Sequence, residues 1–215
     1  RAVRKIGDSS IYFDGTGDEL TIPDSTDWDF GADDFTCECW IRVPSLTAGG
    51  SEQTLMCTEA DPNYSLGWLW MFGSGGTSND YQELGLNYST NGSSWADTTK
   101  HTSGLVADTW THVAVVRATT TITIYVAGSS IGTHTIGTST IFNPSEPLDI
   151  GSYGAGSADA FQGYMDEIRI SDTARYTTTF TPSTTAFTAD ANTKLLIHSN
   201  WDGGLGADSS GNYNT

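Results

Sequence analysis

Two kinds of side chain in this sequence recur in patterns that could do chemistry: carboxylates in short clusters, and indoles at alternate positions. Asp24, Asp27 and Asp29, then Asp33 and Asp34, and later Glu59 and Asp61, concentrate acid in turn-rich stretches. Carboxylates on turns can supply hard oxygens to a divalent cation; these clusters read more readily as solvated loops. Trp68, Trp70 and Phe72 fall at period two, with Tyr64, Tyr81, Tyr88 and Trp95 near them in sequence. Exposed rings of this kind stack on the apolar C–H faces of sugars, which makes Tyr64, Trp68, Trp70 and Trp95 the candidate ligand-binding residues. Buried, the same rings are core. Trp40 and Trp110 read as packing residues.

Hydrolytic chemistry finds less support. Glycoside hydrolysis needs two carboxylates flanking the scissile bond, about 5–5.5 Å apart in retaining enzymes. Asp166 and Glu167 are adjacent, so in a regular strand they face opposite ways, and Ile168 and Arg169 follow where a further acid is needed. Glu38 stands alone in its strand. His101, His112, His134 and His198 lack zinc-site spacing, and neither a Gly-x-Ser-x-Gly elbow nor a phosphate loop occurs. No catalytic residue is expected.

The elements that must position these side chains are strands. The chain has 215 residues with 24 Gly, 7 Trp, 9 Tyr and 8 Phe, a composition that favours pleated surfaces joined by many turns. Alternation is clearest from Phe35 to Val43, where Phe35, Cys37, Cys39, Ile41 and Val43 share one face and Thr36, Glu38, Trp40 and Arg42 the other. Further strands are expected over 10–13, 19–22, 54–58, 66–72, 83–88, 112–118, 121–126, 132–135, 148–151, 165–171 and 194–199. Asn91-Gly92 and Ala127-Gly128 are hairpin turns. No amphipathic helix of three turns is visible, which argues against a parallel α/β fold. The expectation is all-β, a two-sheet antiparallel sandwich.

Charge narrows the partners. The net charge is −17 with nine Lys plus Arg, so nucleic acid is excluded as a partner, because phosphate binding needs clustered cations. No apolar run is long enough for membrane insertion. Cys37, Cys39 and Cys57 are read as buried free thiols, with a bridge from Cys57 to Cys37 or Cys39 as the alternative.

Several segments in order resemble one family. Ser10-Ile11-Tyr12-Phe13-Asp14-Gly15, Phe35-Thr36-Cys37-Glu38-Cys39-Trp40-Ile41, Trp110-Thr111-His112-Val113-Ala114, Ile124-Tyr125-Val126 before Gly128, and Leu148-Asp149-Ile150-Gly151 leading to Phe161-Gln162-Gly163-Tyr164-Met165-Asp166-Glu167-Ile168-Arg169 are similar to the signatures of the concanavalin-A-like lectin/glucanase superfamily, in its laminin-G-type jelly-roll form. The resemblance implies a jelly-roll module over residues 1–190. Residues 191–215 either complete the sandwich or begin a following module.

The resemblance also implies a structural Ca²⁺, with Asp14, Gly31 and Asp166 as its metal ligands. It implies a non-catalytic binding module on an extracellular or virion surface, recognising glycans or host-surface proteins. The alternative is a structural or decoration module of a phage virion or surface assembly, packed against neighbouring copies. A jelly-roll glycoside hydrolase is the least supported reading.

Overall fold

The computed structural model describes residues 3–46, 52–60, 65–73, 83–153, 159–200, 204 and 206–212. Asp61, Tyr64 and Tyr81 lie outside them. The strands are β1 (Ile11–Asp14), β2 (Leu20–Ile22), β3 (Phe35–Arg42), β4 (Gln53–Ala60), β5 (Ser65–Phe72), β6 (Glu83–Ser89), β7 (Trp95–Thr102), β8 (Thr111–Ala118), β9 (Thr121–Val126), β10 (Ser129–Thr135), β11 (Leu148–Ile150), β12 (Gln162–Ser171) and β13 (Thr193–Ile197). The helical element among the described residues is a single 3-10 turn at Thr26–Trp28.

They form two antiparallel sheets. The seven-stranded sheet runs β1-β12-β3-β8-β9-β10, with β13 also paired to β12; the six-stranded sheet runs β2-β11-β4-β5-β6-β7. This is the two-sheet antiparallel sandwich that the alternation predicts, in the jelly-roll form that the family resemblance implies.

Alternation decides what fills the gap between the sheets. Phe35, Cys37, Cys39 and Ile41 on β3, Val113 and Val115 on β8, and Ile122 and Ile124 on β9 meet Trp68, Trp70 and Phe72 on β5 and Leu84 and Leu86 on β6 in one buried cluster. Large apolar side chains from facing layers interdigitate because each buried one contributes about 1.5–3 kcal/mol. Cys37, Cys39 and Cys57 are buried and form no disulfide; burial pushes the thiols of Cys37 and Cys39 well up.

The outer face of the seven-stranded sheet is also largely covered. Residues 172–192 cross it as a strap whose Ala174, Tyr176 and Phe180 pack on Ala114, Val116 and Tyr125, while Phe187 packs with Ile6, Trp40 and Leu196. Gly128 makes the crossing possible. Its φ is +79°, and a Cβ there would lie 1.9 Å from the Phe180 carbonyl oxygen, with which no side chain is compatible. Beneath the strap Glu38 is fully buried and accepts four hydrogen bonds: Arg169 Nε at 2.8 Å and Nη2 at 2.6 Å, His112 Nε2 at 2.9 Å and the Tyr176 hydroxyl at 2.8 Å. Burial disfavours its charge, yet the His112 hydrogen bond and the Arg169 charge outweigh it and lower the pKa.

One expectation about faces fails. The register runs Asp166↔Trp40 and then Arg169↔Glu38, so β12 carries one extra residue, a β-bulge. Glu167 sits in it at φ +51°. Asp166 and Glu167 therefore do not simply face opposite ways. Asp166 Oδ2 accepts from the backbone N–H groups of Lys5 and Ile6, both at 2.9 Å; Glu167 accepts from Phe187 N at 2.6 Å and His198 Nδ1 at 2.9 Å. Both carboxylates anchor covering segments.

Candidate functional site

The acidic side chains expected to hold Ca²⁺ are not brought together. Asp14 lies opposite Gln162 on β12, four residues from Asp166, a separation of about 13 Å along a strand. Its carboxylate accepts from Thr16 N at 2.7 Å, shaping its own turn. The Gly31 carbonyl accepts from Arg117 Nη1 at 3.0 Å and from Ile141 N at 2.8 Å. Arg117 pairs with Phe35 at the far end of β3 from Trp40 and Asp166. Three donors so far apart do not converge on one Ca²⁺. Among the described residues no group of three or more His, Cys, Asp or Glu could hold a metal ion.

The acidic clusters do gather elsewhere. Asp27, Asp29, Asp33, Asp34 and Asp172 line a cleft of about 230 Å³ with Lys194. Most of that charge is engaged: Asn143 donates to Asp29 at 2.6 Å, the Thr119 N–H to Asp34 at 2.5 Å, and Lys194 to Asp172 at 3.0 Å. The cleft is a braced end of the sandwich.

The aromatic platform needs the same correction. Trp68 and Trp70 are 1% and 0% exposed, because their face of β5 is the one turned to the other sheet. The Trp68 indole donates to the Trp28 carbonyl at 3.3 Å. They are core and present no ring to a ligand. Trp95 is different. It is partly buried on the outer face of the six-stranded sheet, where it and Tyr153 pack against Cys57, Leu69 and Met71.

That outer face has a defined grain. The register aligns Thr21 with Asp149, Asp149 with Cys57, Cys57 with Leu69 and Leu69 with Asn87, so one row crosses β2, β11, β4, β5 and β6. Four strand spacings make it about 19 Å long. A parallel row aligns Thr54, Met71, Gly85 and Lys100. The Lys100 ammonium reaches back to pair with Glu52, over a strand position where Gly85 offers no side chain.

The row contains two buried acceptors without partners, Asn87 Oδ1 and Asp149 Oδ1. Asn87 is 5% exposed and Asp149 8%, and an unmet buried acceptor costs about 1–3 kcal/mol. Among the described residues the Asn87 amide nitrogen reaches Met71 Sδ at 3.9 Å. Burial pushes the Asp149 pKa up, the Thr21 hydrogen bond holds it down, and the charges of Glu19 and Glu146 raise it further. A Glu19 oxygen is likewise buried without a partner. The row thus offers acceptors to a ligand rich in hydroxyl donors, beside the apolar ground of Cys57, Leu69 and Trp95.

Sequence reasoning singled out Trp95, by its nearness in sequence to Trp68 and Trp70, and missed Asn87 and Asp149. The available signal was alternation: Asp149 lies between inward Leu148 and Ile150, and Asn87 between inward Leu86 and Tyr88. That gives their face but not their shared row.

Known proteins supply the comparison. The sequence profile of the concanavalin A-like lectin/glucanases superfamily matches residues 14–179. No curated protein sequence matches the chain. Among solved structures, a protein from Bacteroides ovatus assigned provisionally to carbohydrate binding superposes with a TM-score of 0.72 at 21% identity, over 94% of this chain and 56% of its own. The present chain therefore spans little more than half that protein's length. Domain 4 of AbnA, an extracellular GH43 arabinanase from Geobacillus stearothermophilus solved with arabinotriose, gives 0.54 at 17% identity, over 77% of this chain and 71% of its own. The CBM40 of the Ruminococcus gnavus IT-sialidase, bound to α2,3-sialyllactose, gives 0.56 at 11%, over 79% and 92%. At such identities the likeness is one of fold.

Proposed function

The chain belongs to the concanavalin A-like lectin/glucanases superfamily, and on that premise we propose that it is a non-catalytic extracellular module that binds glycan on the outer face of its six-stranded sheet. The observation that carries this is the pair of buried, unpartnered acceptors, Asn87 Oδ1 and Asp149 Oδ1, in one register row beside Trp95. A sugar hydroxyl donates to each, and the apolar side of the ring lies on Leu69 and Trp95. Such a combination of few placed polar groups on apolar ground is the usual make-up of a small-molecule site.

The non-catalytic reading rests on how the carboxylates are used. Glu38 is saturated by four donors, and Asp166 and Glu167 hold backbone N–H groups of covering segments. None of the three is free to transfer a proton to a glycosidic oxygen. The AbnA domain and the sialidase CBM40, each solved with an oligosaccharide, lend the reading support at the level of fold. No helix among the described residues is long and apolar enough to cross a membrane.

The test is a glycan array followed by calorimetry, with wild type, Asn87→Ala and Asp149→Asn. Binding should appear for at least one glycan, weaken tenfold or more in each variant, and survive a chelator. Full affinity in both variants would overturn the site. Release of new reducing ends from a bound polysaccharide would overturn the non-catalytic assignment. No binding to any glycan, with regular self-assembly instead, would favour a structural module.

A further inference from the structure

One end of the outer face of the seven-stranded sheet lies at the border of the covering segments, where Trp110 packs against the cluster of Ile6, Trp40, Phe187 and Leu196, and aromatic side chains continue from there to an exposed edge. Tyr12 on β1 lies opposite Tyr164 on β12, and Tyr164 lies opposite Arg42 on β3. Trp110 stands at the entry to β8, its ring 6.4 Å from that of Tyr164. The Tyr12 and Tyr164 rings are 4.8 Å apart and inclined by 43°, and the Arg42 guanidinium lies over Tyr164 at 5.6 Å. Tyr12 is 50% exposed, and Val106, in the loop leading to Trp110, is 64% exposed. Cross-strand aromatic pairs stabilise sheets, but such a role does not require half a tyrosine in water.

A fixed polar pair stands within the row. Arg42 Nε donates to the Asp108 carbonyl at 2.9 Å, and Nη2 pairs with Asp108 Oδ1 at 3.1 Å; the two side chains are 24% and 64% exposed. Asp108 holds a left-handed backbone, φ +58°, uncommon for a residue with a side chain. Its N–H is tied to the Val43 carbonyl at 2.8 Å. The loop thus presents a carboxylate and a guanidinium side by side at the edge of the aromatic rings.

We propose that Tyr12, Tyr164, Arg42, Asp108 and Trp110 form a second glycan platform, on the opposite side of the sandwich from the Asn87–Asp149 row, and that its ligand is a neutral oligosaccharide. The C–H faces of successive sugar rings stack on Tyr12 and Tyr164, and vicinal hydroxyls bridge Arg42 and Asp108, one accepting and one donating. Three strand spacings give the row a length of about 14 Å, suited to a chain of sugars. Charge selects this occupant over others. Arg42 is neutralised in place by Asp108, and the net charge of −17 on the chain opposes an anionic ligand. A purely apolar protein surface would desolvate the Arg42–Asp108 pair with no new hydrogen bonds to either group. A polyol with apolar faces satisfies both. The platform shares only its class of ligand with the site proposed above and stands on its own residues.

The experiment titrates neutral oligosaccharides (arabinan, β-glucan, xylan and mannan fragments) against wild type, Tyr12→Ala, Asp108→Asn, and Asn87→Ala, with sialylated and sulfated glycans as controls. Unfolding midpoints confirm that each variant is folded. Tyr12→Ala should weaken binding of a neutral glycan about tenfold, the loss expected for one aromatic contact, and Asp108→Asn should weaken it too, while Asn87→Ala leaves this component intact. Unchanged neutral-glycan binding in Tyr12→Ala overturns the platform and leaves the Asn87–Asp149 site standing. If Tyr12→Ala abolishes binding of every glycan and Asn87→Ala weakens none, the platform is upheld and the other site is overturned. Preference for sialylated or sulfated glycans at this face overturns the neutral ligand, and Tyr12-dependent self-association without glycan binding shows a dimer contact and overturns the proposal.

Discussion

Asp166→Asn should change how stability depends on pH, and the size of the change can be worked from one buried carboxyl. Burial pushes the Asp166 pKa from 3.8 to about 6, against the restraining hydrogen bonds from Ile6 and Lys5 and with the Glu167 charge adding to the rise. A folded-state pKa above the unfolded value means that between about pH 4 and 6 the folded chain keeps a proton that the unfolded chain has lost. Stability from this group is therefore present at the acid end and is lost as pH rises through 6. The shift of roughly two units, at 1.36 kcal/mol each, corresponds to about 3 kcal/mol. Asparagine holds the neutral form at every pH. Its carbonyl can still accept from Lys5 and Ile6, and its amide takes the place of Asp166 Oδ1, which has no partner. Urea unfolding of both proteins from pH 4 to pH 8 should show the variant gaining about 3 kcal/mol on wild type across that range, or about 6–12 °C in Tm for a chain of this size. His198, whose pKa is raised first by its hydrogen bond to Glu167, also favours the acid end. It titrates in both proteins, and repeating the comparison with His198→Gln in each background removes it. A gap that stays constant with pH, or widens toward acid, would refute the reasoning.

Other outcomes follow from the same packing. Glu38→Gln leaves the buried Arg169 guanidinium without its counter-charge and should cost about 3–5 kcal/mol in chemical denaturation, most of it restored when Arg169→Met is combined with Glu38→Met. Gly128→Ala drives a methyl group into the Phe180 carbonyl and should loosen the strap, seen as faster proteolysis within residues 172–192 and a lower Tm. Trp70→Ala should cost about 3–5 kcal/mol of stability, so any loss of ligand binding in it tracks unfolding, whereas Trp95→Ala, on the outer face, should weaken binding with a much smaller loss of stability.

The sandwich was legible because its inner faces are written in period two. From Phe35 to Ile41 and from Val113 to Val115, each alternate residue is apolar and each points inward. β7 was not legible. The Asn91-Gly92 turn marks the hairpin into it, yet Trp95–Thr102 reads Trp-Ala-Asp-Thr-Thr-Lys-His-Thr, with little apolar alternation. An edge strand pairs through its backbone on one side only, and Thr-rich sequence suffices for that. The bulge at Glu167 was hidden for a related reason. Periodicity cannot show a single inserted residue that takes φ +51° and lets Asp166 and Glu167 serve two covering segments.

Function was less legible than fold because the residues most suggestive in sequence are those the core consumes. Trp68 and Trp70 alternate cleanly, and clean alternation of large rings is what a buried face requires; the pattern that singled them out also put them out of reach. A usable surface group has to break the apolar rhythm, as Asn87 and Asp149 do between buried neighbours, or stand where coverage ends, as Tyr12 and Trp110 do. Neither property belongs to the residue alone. The first depends on which strands become neighbours: Asn87 and Asp149 are separated by 62 positions in sequence and by three strand spacings in the sheet. The second depends on a strap whose route is fixed by contacts such as Gly128 with Phe180. Substitutions that move the strap without touching Tyr12 should therefore alter access to the aromatic row, and Gly128→Ala is the sharpest of them. If its proteolytic loosening leaves binding of a neutral glycan to that face unchanged, the strap merely covers the core and has no part in bounding the site.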